Sequence, residues 1–329
     1  MMLRLLALFT LLALALGLAL SVGARPVTPA VALEALRAYD PTNPEHVTLM
    51  AIRLPRLAAG LIAGGALGIA GTVMQVMTRN PLADPGLLGV NAGAAFALLI
   101  GATALGTSDA TSVALLTFPG AALASALVFT LGGGLRGDVG PVRLTLAGAA
   151  LNALLLSLVT AIVLIRQDTL DMFRFWVAGS LTQAASRPLM EMALIAAAGG
   201  ILALAIAPQI EALSLGSALS RGLGTKPRRV QAAALAVVTL CTGAAVAVAG
   251  PIAFLGLMVP PLARRVAGHA LRRELLASAL LGAALLLFAD TLGRVVMPPA
   301  EVRAGIMTAL IGGPIFLWVA RHLRPGATA

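Results

Sequence analysis

Long apolar stretches follow one another along almost the whole of this 329-residue chain. A helix that crosses a bilayer needs about 20 mostly apolar residues. Stretches of this kind, one of them short, lie near residues 3–22, 54–77, 86–105, 111–133, 144–165, 189–207, 230–249, 252–263, 275–290 and 304–321. The connectors between them leave no room for a water-soluble domain. The pattern predicts an all-α, polytopic membrane protein of about ten transmembrane helices, with residues 1–329 forming a single transmembrane domain.

The composition excludes a water-soluble protein. Hydrophobic residues make up 59% of the chain and charged residues only 11%, whereas soluble domains carry about 25% charged residues. The net charge of +10 would otherwise suggest a nucleic-acid partner. Because the chain has few aromatic residues and no soluble basic face to follow a phosphate backbone, we expect membrane lipid around it and no nucleic acid among its partners.

The basic residues indicate how the chain lies in the membrane. With the first stretch retained and the N-terminus inside, the inner segments hold 14 of the 23 lysines and arginines. Cytoplasmic loops carry an excess of Lys and Arg, so the N-terminus and the C-terminus are both predicted to be cytoplasmic. The first stretch also has features of a signal peptide, because Met1 to Arg4 precede it and small residues follow at 21–24. That alternative would remove one span.

Charged residues stand where predicted helices reach the outer boundary. Arg53 and Arg56 lie three residues apart just before the second stretch. They could anchor the chain at the lipid headgroups or, as exposed guanidinium groups, bind a carboxylate of a docking protein. Asp290 and Arg294 lie one helical turn apart at another outer helix end. That spacing suits an ion pair or a docking group better than a proton relay.

Polar residues interrupt the apolar pattern at the inner end of the second stretch. Gln75 is followed by a turn, Thr78 to Gly86, that contains two prolines together with Asn and Asp. Such a sequence predicts an ordered turn, either a plain cytoplasmic turn or backbone that lines a pathway. Gln75, Asn91 and Asn152 could likewise face a pathway or link helices. Glycines at 60, 64 and 68 predict close helix packing.

The sequence offers little for catalysis. His46, His269 and His322 are scattered and make no metal-ligand spacing. The only lysine, Lys226, stands in a segment that lacks the Gly-Lys-Ser/Thr of a phosphate-binding loop. We therefore expect no enzyme activity, no cofactor and no metal site, and any ATP hydrolysis would occur in a partner chain. The loop at 208–229 is the longest inner connector and either solvates itself or offers a docking surface.

Several motifs occur in an order found in one family of membrane proteins. They are Arg53-Leu-Pro-Arg56, Gln75, Asn80-Pro-Leu-Ala-Asp-Pro-Gly-Leu-Leu-Gly89, Trp176-Val-Ala-Gly-Ser180, Gly250-Pro-Ile-Ala-Phe-Leu-Gly-Leu-Met-Val-Pro260 and Ala304-Gly-Ile-Met-Thr-Ala-Leu-Ile-Gly-Gly-Pro-Ile-Phe-Leu-Trp318. Between Arg53 and Trp318 the chain resembles the FecCD permeases of ATP-binding-cassette (ABC) importers. The resemblance implies a type II importer permease of ten helices in the cell inner membrane. Its cargo, a ferric siderophore, haem or cobalamin, would move from periplasm to cytoplasm.

The resemblance also implies partners and residue roles. The partners would be ABC ATPase subunits, a periplasmic substrate-binding protein and a second permease subunit, which we expect to be an identical copy, with a sister chain as the alternative. Docking of the binding protein would involve Arg53, Arg56 and Arg294. The pathway and gate would include Gln75, Asn80, Leu82, Gly140, Pro141 and Val142. Coupling to the ATPase would involve Gly216, Ser217, Ser220, Arg221, Leu223 and Gly224.

The chain departs from the family pattern at two positions. Ser217 stands where the family usually has Glu, so the acidic contact of the coupling segment is missing here. Pro261 stands where the family favours His, and no role is assigned to it.

The alternative function is that of an ion-coupled secondary transporter. Such a protein needs acidic residues inside the membrane as proton or sodium sites. Acids are almost absent from the middle of the apolar stretches, since Asp290 lies at the end of one. The sequence therefore favours the importer subunit, and a membrane-embedded enzyme is a distant third because no nucleophile and base stand at a usable spacing.

Overall fold

Helices form at all of the apolar stretches. The computed structural model describes residues 2–23, 26–104, 106, 109–134 and 141–322, and no β-strand occurs in these ranges. The α-helices are α1 (Met2–Ser21), α2 (Pro29–Arg37), α3 (Pro44–Val47), α4 (Leu54–Thr78), α5 (Val90–Ala104), α6 (Ala110–Leu131), α7 (Pro141–Ile165), α8 (Asp168–Val177), α9 (Leu189–Ser214), α10 (Ser217–Gly222), α11 (Pro227–Ala249), α12 (Leu255–Ala267), α13 (Leu271–Val295) and α14 (Ala304–His322).

The predicted number of transmembrane helices is not confirmed. Among the described residues, six helices are long and apolar enough to cross a bilayer; they lie in Pro44–Thr78, Thr111–Leu131, Val142–Ile165, Leu189–Ser214, Pro227–Ala249 and Leu271–Val295. Shorter apolar helices occupy Leu6–Ser21, Val90–Ala104 and Ala304–Trp318. The all-helical, multi-span character is therefore observed, whereas length and composition alone do not support ten spans.

Non-helical backbone shortens two of the predicted spans. In the stretch near 252–263, Phe254 has a left-handed φ of 65° and α12 begins only at Leu255, with 13 residues. At about 1.5 Å per residue such a helix is about 20 Å long, less than the roughly 30 Å hydrocarbon thickness of a bilayer. The stretch near 86–105 loses its first residues to a 3₁₀ helix, Pro85–Leu88, and to the left-handed Gly89 that follows it.

Helices α4 and α13 pack closely and antiparallel at the centre of the fold. A Cβ atom at Gly64 would lie 2.5 Å from the Gly282 carbonyl oxygen, and one at Gly68 would lie 2.1 Å from that of Ser278. These distances leave no space for a methyl group, so the glycines let two backbones approach. The Thr72 hydroxyl adds a buried hydrogen bond of 2.7 Å to Ser278. The predicted packing role of the glycine stripe is confirmed.

The ends of the α4–α13 pair are where polar side chains collect. A π-helical turn, Thr48–Arg53, joins α3 to the start of α4, close to the end of α13. The far end of α4 stops where Arg79 adopts a left-handed conformation, with φ of 51°. Helix α1 lies along α13, where Ala15 and Ala19 pack against Ala284 and Leu287. One polar cluster thus forms near the C-termini of α1 and α13, and others form at the opposite end.

Candidate functional sites

The first site is the arginine cluster, which we define as Arg53, Arg56, Asp290, Arg294 and Glu301. Arg56, in the first turn of α4, forms a bidentate ion pair with Asp290 of α13. Its Nε donates to Oδ2 at 2.8 Å, and its Nη2 donates to Oδ1 at 2.8 Å. Its remaining terminal nitrogen donates to Glu301 at 2.7 Å. Two-pronged binding of this kind is the strongest geometry for a guanidinium and a carboxylate.

The other two arginines of the cluster hold the end of α1. Arg294 donates to the carbonyl oxygens of Ala19 and Val22, both at 3.0 Å, and Arg53 donates to that of Leu20. The last carbonyl groups of a helix lack partners within it and carry partial negative charge, so cations stabilise them. Arg294 also pairs with Asp290 at 3.2 Å, which confirms the predicted ion pair within α13.

Arg53 and Arg56 are not the exposed guanidinium groups that one of the two alternatives required, and Arg294 is buried as well. Arg53, Arg56 and Arg294 are only 4%, 6% and 7% exposed, because α1 and Glu301 cover them. The cluster borders a cavity of about 300 Å³, which Gly23, Thr48 and Ile52 also line. Three cations face two carboxylates here, and the buried Nε of Arg294 has no hydrogen-bond partner among the described residues. The cluster therefore leaves one donor, the Nε–H of Arg294, unused among the described residues.

At the opposite end, Gln75 links helices. Its Nε2 donates to the Leu257 carbonyl at 3.2 Å, and its Oε1 accepts from Arg264 at 2.8 Å. Arg264 also pairs with the buried Glu274 of α13 at 2.7 Å. This buried chain of polar groups joins α4, α12 and α13, so the contacts favour the helix-linking alternative for Gln75. Sequence reasoning missed Arg264 and Glu274, since their partnership crosses from one helix to the next.

The turn after α4 is ordered, as predicted. Asn80 accepts a hydrogen bond from the Leu82 backbone N–H at 2.9 Å, and Asp84 accepts one from Gly86 at 2.7 Å. The Arg79 guanidinium reaches across to the Leu213 carbonyl at 3.0 Å. The bonds of Asn80 and Asp84 are local side-chain to backbone bonds that fix a chain without helix or strand.

The predicted gate residues are only partly brought together. Asn80 and Val142 line one cavity of about 250 Å³, with Met74, Thr78, Ala83, Leu87, Thr145 and Leu146. Leu82 is 40% exposed and does not line it. Pro141 begins α7, and Gly140 lies outside the described residues. Asn91 and Asn152 flank the same turn, where Asn152 donates to the Gly86 carbonyl at 3.4 Å.

The α10 segment, residues 215–227, carries exposed leucines. Gly216, with φ of 113°, and Gly224, with φ of 78°, bound the short helix α10 with conformations that favour glycine. Ser220 is buried and hydrogen-bonds to Thr225, which closes the segment on itself. Leu219 and Leu223 are 56% and 60% exposed. Ser217 and Arg221 are also exposed.

The α10 segment thus combines apolar and basic surface. Leu215, at the end of α9, is 61% exposed, and Leu219 and Leu223 are similarly exposed. Arg221, Lys226, Arg228 and Arg229 are exposed around them. Exposed apolar groups rimmed by charge are typical of protein-binding surfaces.

Long apolar helices, glycine-mediated packing and charged groups confined to helix ends define the class of the protein: a polytopic, all-helical membrane protein with polar sites at both ends of its bundle. The chain belongs to the FecCD transport family, whose model matches residues 11–322.

Individual relatives support this membership over most of the chain. The chain is 44% identical over 319 residues to the ferric enterobactin transport system permease protein FepD of Escherichia coli. This alignment covers 97% of this chain and 95% of the relative. It is 40% identical over 275 residues to the hemin transport system permease protein HmuU of Yersinia pestis, covering 82% and 81%. A solved structure described as an inward-facing metal-chelate type ABC transporter superimposes with a TM-score of 0.82 at 26% identity, covering 97% and 99%. The chain is thus a transport permease with the fold of metal-chelate ABC transporters.

Proposed function

We propose that this chain is the membrane-spanning subunit of an ABC importer that carries an iron chelate, either a ferric siderophore or haem, across the inner membrane from periplasm to cytoplasm. The observation that carries the proposal is the family match over residues 11–322, joined to relatives named for ferric enterobactin and hemin transport. Cobalamin, the third cargo implied by the sequence resemblance, has no counterpart in those names. The chain forms a single domain over residues 1–329, with both termini cytoplasmic.

The arginine cluster would receive the substrate-binding protein. Its cavity faces the residues that connect α1 to α4, which lie in the periplasm in the proposed orientation. Glu301 is 32% exposed, whereas Asp290 is 1% exposed. An acidic side chain of the binding protein could therefore replace Glu301 as a partner of Arg56 and occupy the unused donor of Arg294. This exchange replaces one carboxylate by another, so the net charge of the cluster stays the same. The carboxylate of the binding protein would then be linked through Arg56 and Arg294 to α13.

The docking hypothesis is tested with Arg53→Gln and a matched control. Arg53 borders the cavity, whereas Arg37 is exposed near the end of α2 and does not border it. We expect Arg53→Gln to weaken binding of the purified binding protein by about tenfold, the effect of losing about 1.4 kcal/mol. Arg37→Gln should leave it unchanged. Equal affinities for both variants would remove Arg53 from the docking surface.

The opposite end would contact the ATPase subunits and hold the gate. The exposed leucines and cations of the α10 segment supply an apolar centre and a charged rim for a groove on each ATPase. Asn80 and Val142 would line the inner part of the pathway, which a second copy of this chain would complete in a homodimer. ATP hydrolysis occurs in the ATPase chains, and this chain contributes no catalytic group.

The function is tested by reconstitution in liposomes with the ATPase and binding protein. Uptake of radioactive iron as a siderophore chelate should require ATP and should persist when a protonophore collapses the proton gradient. Uptake without ATP that disappears with the ion gradient would establish the secondary-transporter alternative instead. The acids of α13 argue against that outcome, because Asp290 is paired with Arg56 and Glu274 with Arg264, which leaves neither free to cycle a proton.

A further inference from the structure

A cavity of about 240 Å³, separate from the arginine cluster, lies where the end of α8 meets the start of α14. We name it the Trp176 cavity. Its lining comprises Leu98, Val113, Met172, Phe175, Trp176, Ser180, Thr182, Gln183, Arg187, Ala249, Gly250 and Arg303. Apolar side chains form one part of this wall, and hydroxyl, amide and guanidinium groups form the rest. Among the residues that the structure describes, the lining includes two arginines and no acidic residue.

Arg303 is held in place at the cavity wall. Its guanidinium lies 4.4 Å from the centre of the Phe175 ring, and it donates a hydrogen bond to the Phe175 carbonyl. Burial lowers the pKa of the Arg303 guanidinium, and the nearby charge of Arg174 lowers it further. Arg187 donates to Gln183 at 3.2 Å, so both belong to the same wall. The cavity is therefore an electropositive space.

Trp176 adds a donor that the protein leaves unused. The side chain is 8% exposed, and its buried indole N–H has no hydrogen-bond partner among the described residues. Buried donors are nearly always satisfied, so an unsatisfied one calls for an acceptor that the chain does not supply. The hydroxyl groups of Ser180 and Thr182, 2.9 Å apart, offer further hydrogen bonds at the same wall.

The cavity opens at the same end of the bundle as the arginine cluster. Arg303 lies two residues after Glu301, and the neighbouring Val302 N–H donates to the Gly293 carbonyl of α13 at 2.9 Å. The wall formed by Ala249 and Gly250 is the C-terminal end of α11. In the proposed orientation this is the periplasmic end, where cargo arrives.

We propose that the Trp176 cavity binds an anionic, oxygen-bearing arm of the transported chelate, with Arg303 and Arg187 opposite the negative oxygens and Trp176 donating to one of them. This inference rests on the proposed function. The volume fits one arm, since pockets for whole drug-sized ligands measure about 300–1,000 Å³. Binding is weak, because a transport pathway must also release its cargo. A chelate without negative charge gains nothing from the two guanidinium groups.

Tryptophan fluorescence tests this cavity directly. The chain has two tryptophans, so Trp318→Phe leaves Trp176 as the only one. The full-length variant, in lipid nanodiscs, is titrated with gallium(III) citrate as an anionic probe and with gallium(III) desferrioxamine B, whose complex has no net negative charge, as the control. Gallium replaces iron because it does not quench tryptophan fluorescence. We expect a saturable change in Trp176 emission with the citrate complex only. Arg303→Gln should raise the half-saturating concentration of gallium(III) citrate by about tenfold or more. Arg303→Lys should raise this concentration by less.

Arg174→Gln is the matched cation control. Arg174 also lies against the Phe175 ring, at 5.0 Å, but does not line the cavity, so its loss should change the titration much less than Arg303→Gln does. The inference is overturned if the parent variant shows no saturable response, if both gallium complexes act alike, or if Arg303→Gln titrates like the parent while remaining folded. Uptake by the reconstituted importer separates the two proposals. Absence of ATP-driven iron uptake by the wild-type complex rejects the proposed function, whereas normal uptake with an unresponsive cavity rejects only this inference.

Discussion

Asp290→Asn removes the one carboxylate that two buried arginines share. Asp290 is 1% exposed and accepts from Arg56 at 2.8–3.0 Å and from Arg294 at 3.2 Å. The substitution preserves size but removes the charge, and the amide NH₂ faces guanidinium donors. Among the described residues, the two buried cations then keep one carboxylate, that of Glu301, which contacts Arg56. We expect the substitution to destabilise the folded protein strongly.

The size of the effect follows from the burial of the pair. Removing one partner of a buried ion pair costs about 3–5 kcal/mol, because the remaining charge is left without compensation. In a large domain, each kcal/mol lowers the midpoint of thermal unfolding by about 2 °C. Asp290→Asn should therefore lower Tm by about 6–10 °C. A second substitution, Arg56→Met, should recover part of this loss, since it removes one of the stranded charges.

The single cysteine provides the assay. Cys241 is fully buried in α11, so a thiol-reactive fluorescent dye labels it only when the helices separate. Thermal unfolding in detergent is followed by this labelling for wild type and variants. The control is Asp171→Asn, because Asp171 pairs with Arg174 on the surface, with both side chains more than 60% exposed. Exposed pairs contribute about 0–1 kcal/mol, so Tm should fall by no more than about 2 °C. Equal Tm values for the two variants would refute the reasoning that burial makes the Asp290 pair important.

Three further predictions address packing, coupling and pH. Gly64→Ala places a methyl group 2.5 Å from a backbone carbonyl oxygen and should lower Tm in the same dye assay by several degrees. The control Gly17→Ala, where a Cβ atom would meet nothing within 4 Å, should not lower Tm. Equal Tm values for the two variants would show that the α4–α13 contact is loose. Leu219→Ser, on the exposed face of the α10 segment, should reduce co-purification of the ATPase at unchanged Tm, and undiminished co-purification would remove this face from the interface. Hydrogen bonds from Ser112, chiefly from its backbone N–H, lower the pKa of Asp109, which caps α6. The folded pKa lies below the unfolded one, so the cap stabilises the protein above the unfolded pKa and loses this effect as pH falls through the folded pKa. Asp109→Ala should therefore lower Tm at pH 7, and the difference from wild type should shrink below about pH 4; a pH-independent difference would contradict the assignment.

Local features of the fold could be predicted where neighbouring residues decide them. The glycine spacing at 60, 64 and 68 predicted close packing, because small residues on one helix face let a neighbouring backbone approach. The contacts with α13 confirm this prediction. The Asp290–Arg294 pair lies within one helix turn, so its spacing alone was sufficient. The ordered turn after α4 followed from its prolines, Asn and Asp, whose side chains bond to nearby backbone groups.

Contacts between distant parts of the chain could not be predicted in this way. The alternative in which Arg53 and Arg56 are exposed was wrong, because Arg53 contacts a carbonyl oxygen of α1 and Arg56 contacts Glu301, which lies 245 residues away in sequence. The predicted count of ten spans was not confirmed, and a left-handed Phe254 and a 3₁₀ helix replace helical residues in two of the apolar segments. Hydropathy does not distinguish a helix from an extended apolar segment, since both bury the same side chains.

The sequence by itself determined the solvent and the class of this protein: apolar stretches and scarce charge leave only a helical membrane protein, and ordered motifs point to the permease family. Only the tertiary structure decided which charges meet. Packing α4 against α13 and α1 brings Arg56 to Asp290 and Arg294 to the end of α1. The approach of α8 to the start of α14 brings Arg303 to the wall of a cavity with Trp176. The physical reason is that backbone hydrogen bonds and hydropathy act locally along the chain, whereas the low-dielectric interior makes each buried charge depend on a partner supplied by another helix.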